Sequence, residues 1–110
     1  FLLHILKKIF QNWTNRFQMF ATQNMWTFIL LDSYNGRLWQ VQYSTQDLDN
    51  LFCIPINKNE LVENNERCVF SIQPLTSMYQ YYLINDNTGD MWKFQWSTKG
   101  DDYRWIERFR

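Results

Sequence analysis

Slid by 53 residues, this chain matches itself without a gap. Residues 25–45 read MWTFILLDSYNGRLWQVQYST, and residues 78–98 read MYQYYLINDNTGDMWKFQWST. Met25 falls on Met78, Leu30 on Leu83, Gly36 on Gly89 and Trp39 on Trp92. Gln42, Ser44 and Thr45 fall on Gln95, Ser97 and Thr98, and most other pairs are conservative. The match reaches upstream through Phe17 with Phe70 and downstream through Phe52 with Trp105. A repeat of this kind restricts the fold, because whatever one copy forms the other must form too.

Each copy reads as strands. Arg16–Ala21, Met25–Asp32, Arg37–Ser44 and Leu51–Ile56 make four in the first, with a turn at Ser33–Gly36. Cys68–Gln73, Met78–Asn85, Asp90–Ser97 and Tyr103–Phe109 make four in the second, with a turn at Asp86–Gly89. Trp39, Val41 and Tyr43 alternate with Leu38, Gln40 and Gln42, a period of two. Trp92, Phe94 and Trp96 repeat the first stripe, and the expectation is that these six form the core. The second strand of each copy is apolar on both faces, which predicts a central position.

Residues 2–13 break the pattern. Leu2, Leu3, Ile5, Leu6, Ile9, Phe10 and Trp13 sit at helical spacing opposite His4, Lys7, Lys8, Gln11 and Asn12. That spacing predicts an amphipathic helix over 1–15, whose wide apolar face must be buried on its own sheet, on a partner or on a membrane surface. Its lysines follow the apolar run, the reverse of a secretory signal, and what lay upstream of Phe1 is left open. Asn57–Glu66 is polar and acidic and reads as a linker loop. The expected organisation is one domain over 1–110: helix 1–15, β-repeat 16–56, linker 57–67 and β-repeat 68–110. The fold class is mostly β, two tandem antiparallel meanders of three to four strands sharing one core.

Composition narrows the function. Six Trp, six Tyr and nine Phe suit pleated, half-buried surfaces. Eleven basic and eleven acidic residues cancel, leaving no global field to draw nucleic acid. No apolar run is long enough for a transmembrane helix.

Side chains with catalytic potential are sparse. His4 is the one histidine and has no sequence neighbour to position it as a base. Cys53 and Cys68 lack the second pair of a zinc site and form no disulfide framework, though two thiols permit one bridge. Asp86-Asn87-Thr88-Gly89-Asp90 looks like a calcium loop without its later bidentate Glu, and turn chemistry explains it better. Three glycines build no phosphate-binding loop. Arg104, Arg108 and Arg110 beside Trp105 and Phe109 read as a guarded edge strand rather than a single-strand binding patch. No cofactor is expected.

The stretch D-x-x-x-G-x-[LM]-W, at Asp32 to Trp39 and with Asn for Asp at Asn85 to Trp92, resembles the strand–turn–strand signature of quinoprotein-type β-propeller blades. The resemblance implies a four-stranded meander per copy, not a cofactor. Propeller rings usually hold at least about four blades, so two copies either fold face to face or associate between chains. The plan is also similar to bacterial two-blade fucose-binding lectins, whose Arg would repeat in every blade, whereas here Arg37 aligns with Asp90. The leading expectation is a non-enzymatic binding or assembly module, presenting an aromatic-rich β surface to a protein or ligand, with a protein partner or self-association expected first. Trp26, Tyr79, Arg37, Gln40, Gln42 and Gln95 are its candidate ligand-facing residues. The alternatives are a carbohydrate-binding lectin, using exposed members of Trp26, Trp39, Tyr79 and Trp92, and a small hydrolase built on carboxylates among Asp32, Asp86 and Asp90. Peripheral membrane attachment through residues 1–13 is a further expectation.

Overall fold

The computed structural model describes residues 16–43, 51–62 and 69–110. The helix expected over 1–15, Cys68 and most of the linker's second half lie outside them. Two four-stranded antiparallel sheets are formed, each a meander with its strands in chain order. The first holds β1 (Phe17–Ala21), β2 (Thr27–Asp32), β3 (Arg37–Gln42) and β4 (Phe52–Pro55). The second holds β5 (Phe70–Pro74), β6 (Gln80–Asn85), β7 (Met91–Gln95) and β8 (Trp105–Arg108), with a 3-10 turn at Asp101–Tyr103.

The two copies pair in the same register. Phe17 lies opposite Asp32 as Phe70 lies opposite Asn85. Leu30 faces Trp39 as Leu83 faces Trp92, and Trp39 faces Pro55 as Trp92 faces Arg108. The β2–β3 and β6–β7 turns share their chemistry. The Gly36 amide donates to the Asp32 carbonyl at 2.9 Å, and Gly89 donates to that of Asn85 at 2.8 Å. A side-chain oxygen closes each turn, Asp32 Oδ1 accepting from the Tyr34 amide and Asn85 Oδ1 from the Asn87 amide. This is the Asx turn that Asp and Asn form two residues on. Both glycines have φ near +80°, with 80° at Gly36 and 78° at Gly89, where a Cβ is disfavoured.

Strand alternation gives each sheet two faces. One carries the tryptophan stripe: Phe28, Leu30, Trp39 and Val41 in the first sheet, Tyr81, Leu83, Trp92 and Phe94 in the second. The opposite face carries Ile29, Leu31, Leu38 and Gln40 in the first, Tyr82, Ile84, Met91 and Lys93 in the second. Burial differs between copies. Trp92, Phe94 and Trp96 are buried as expected, but Trp39, Val41 and Tyr43 are only half-buried. Leu38 and Gln40, expected to point away from the core, are fully buried. The physical reason is the stacking. The sheets meet head to tail, with the Leu38 face of the first sheet against the Trp92 face of the second. Ile29, Leu31 and Leu38 accordingly share one hydrophobic cluster with Phe70, Leu83, Trp92 and Phe94.

The start of the linker is structural rather than solvated. Asn57 is buried and braces the first sheet, its Oδ1 accepting from the Leu38 amide and its Nδ2 donating to the Gly36 carbonyl. Leu61 and Val62 pack onto the core. Among the described residues no helix is long and apolar enough to cross a membrane.

Candidate functional site

The buried interface between the sheets sets what remains outside. Gln40 is fully buried there, its Oε1 accepting from the Ser97 amide at 3.1 Å and from Arg104 Nε at 2.8 Å. Arg104 also donates to the Ser97 carbonyl and pairs with Asp101 at 2.8 Å. A buried carbonyl with two donors, one of them charged, is a satisfied and stabilising group. The turn of the first sheet seals the edge: the Ser33 carbonyl accepts from the Val69 and Phe70 amides, both at 2.9 Å. A Cβ built on Gly36 would sit 2.9 Å from Leu61 and 3.1 Å from Phe70.

The tryptophan face of the first sheet has no such cover among the described residues. Phe17 and Met19 on β1 are 55% and 54% exposed, whereas their counterparts Phe70 and Ile72 are 2% and 8% exposed. Cys53 and Pro55 on β4, opposite Val41 and Trp39, are exposed as well. Two arginines border this face. The Arg37 guanidinium lies 4.9 Å from the Trp39 ring centroid, and its buried Nε has no hydrogen-bond partner among the described residues. Arg16 grips the buried Asp32 carboxylate with Nε and Nη2, both at 2.8 Å, and lies over the Phe17 ring at 5.2 Å. That double hydrogen bond raises the Arg16 pKa above its ordinary value. Aromatic rings, Met and Arg on one surface are the composition of protein interface centres. Burial pushes the Cys53 thiol above its ordinary value, so little of it is the reactive thiolate at neutral pH.

The residues expected to face a ligand fall into two groups. Arg37 borders the open face, beside a surface cleft with Lys58, Asn59 and Glu60. Gln40 is sealed in the interface. Gln42 accepts from Thr27 Oγ1 at 2.8 Å, and Gln95 links Gln80 to the Tyr103 carbonyl, each at 2.9 Å. Trp26 packs edge-on to Tyr43, with centroids 5.3 Å apart. Its counterpart Tyr79 packs on Trp96 at 4.7 Å and, with Tyr103 and Lys99, borders a hollow of about 170 Å³. A cleft of about 350 Å³ opens between the sheets, where Phe20 and Thr22 approach Ile72 and Tyr81. The buried Leu38 face and the less covered Trp39 face were missed by pattern reading, because Leu38 and Gln40 look like the polar-side partners of the aromatic stripe.

The carboxylates do not converge as free groups. Asp32 is held by Arg16, Asp86 accepts from Ser71 Oγ at 2.8 Å, and Asp90 pairs with Arg108 at 3.1 Å. Among the described residues no cluster of three or more His, Cys, Asp or Glu side chains could hold a metal ion. The chain matches no protein-family model, no curated protein and no solved structure.

Proposed function

We propose that this protein is a non-enzymatic assembly module, a pair of blade-like sheets whose open tryptophan face docks another protein surface. One observation carries the reading: a duplicated face is buried in the second copy and open in the first. Duplication preserved the apolar side chains in both, and exposed Phe17 and Met19 beside partly buried Trp39 and Val41 on one face favour an interaction site. The resemblance to propeller blades supports the same reading, since blades cover one another in series. The duplicated polar residues, Gln42, Ser44 and Thr45 with Gln95, Ser97 and Thr98, make no catalytic set, which favours binding over catalysis.

The test compares equivalent truncations in dilute solution. Trp92→Ala opens the core and should lower stability by about 3–5 kcal/mol. Trp39→Ala should cost less, about 1–3 kcal/mol, since Trp39 is only partly buried whereas Trp92 is core. Thermal melts reporting equal losses would mean that the face is core covered by the chain itself, and would overturn the reading.

A further inference from the structure

We infer that the occupant of the open face is a second copy of this chain, stacked head to tail; this rests on the docking role proposed for that face. The argument is the interface already inside the molecule. There the Leu38 face of one sheet covers the Trp92 face of the next. Among the described residues, two sheets in series leave one face of each kind uncovered by another sheet: the Trp39 face of the first, and the face of the second that carries Tyr82, Ile84, Met91 and Lys93. The second face is the register equivalent of the Leu38 face, so the two unused faces are the two halves of the contact already made. Contacts that join unlike faces do not terminate at a dimer by themselves. They propagate until the rotation closes a ring. Rings of about four to eight such sheets need two to four copies.

The turns carry a second sign of the same arrangement. Phe70 packs on Gly36, where a Cβ would meet it at 3.1 Å. Gly89 occupies the same turn position with a similar φ, yet nothing among the described residues lies within 4 Å of a Cβ there. Phe17, the counterpart of Phe70, is exposed. Head-to-tail stacking seats Phe17 of one copy on Gly89 of the next and fills both vacancies. It also sets Lys93 of one copy beside Leu51 of the next, the counterparts of Gln40 and Arg104, which hydrogen-bond at 2.8 Å.

The experiment is light scattering of the full chain over a concentration series, with charge variants at the Lys93–Leu51 position. The expected mass is an integral multiple, two or more, of the 13.6 kDa chain. Leu51→Arg should weaken association at least about tenfold by placing like charges together, and Leu51→Arg with Lys93→Glu should restore it. Alkylation of Cys53, which lies opposite Val41 on the face to be covered, should slow as concentration rises. A monomer at all concentrations overturns the inference, and if Trp39→Ala is mild in that monomer the docking role itself survives. A dimer insensitive to both charge variants, as two tryptophan faces meeting symmetrically would be, also overturns it. A monomer destabilised by deleting residues 1–13 and severely by Trp39→Ala assigns the face to the chain's own N-terminal segment and overturns both.

Discussion

Gly36 and Gly89 occupy the same turn and serve it differently. Both hold a positive φ, which costs a side chain roughly 1 kcal/mol or more. Gly36 must also leave room for Leu61 and Phe70, while Gly89 borders open space. Gly36→Ala should therefore cost about 2–4 kcal/mol and Gly89→Ala about 1–2 kcal/mol at concentrations where the chain is monomeric, as chemical denaturation would measure. Equal losses would show that the Phe70 contact adds nothing. Asp32 and Asn85 make a similar pair. Each closes its turn with a side-chain oxygen, but only the carboxylate also takes Arg16, so the sequence difference at this position follows the ion pair and not the turn.

At the scale of elements, β3 is the strand on which the architecture turns. Its Trp39 side is the one that the repeat makes conspicuous, and its Leu38 side is the one that is buried. Gln40 is the polar member of that buried side and ties β3 to the segment after β7. Gln40→Ala would strand the Ser97 amide and leave Arg104 with one fewer acceptor inside the interface. Removing one partner of a buried pair exposes the full desolvation cost of the other, so the expected loss is about 2–4 kcal/mol, read as a lower denaturant midpoint with unchanged slope. The Lys93 position on β7, its counterpart, is half-buried and carries a charge at the same register site.

At the scale of the whole molecule, neither sheet has a core of its own. Ile29, Leu31 and Leu38 are fully buried only because the second sheet lies over them, and Trp92 and Phe94 only because the first does. Leu38→Ala should consequently destabilise both sheets together, by about 2–5 kcal/mol. Hydrogen exchange should show β6 amides losing protection in step with those of β2; protection retained in β6 alone would mean that the second sheet folds without the first. The strands, their order and the turns were readable in advance, because period-two alternation and Asx–Gly turns are local signals. The burial of Leu38 and the openness of Trp39 were not, because an alternating strand states that two faces differ without stating which neighbour each will meet.

The sequence by itself determined two copies of a four-stranded meander, their shared register and the chemistry of their turns, all set by residues within a few positions of one another or by pairing across a hairpin. Tertiary structure alone decided which face of each sheet is covered. Stacking unlike faces makes equivalent residues inequivalent: the tryptophan is core in one copy and only partly buried in the other. That choice depends on a contact between segments about fifty residues apart, and hydrophobic burial, being non-directional, leaves no mark of it in the local pattern.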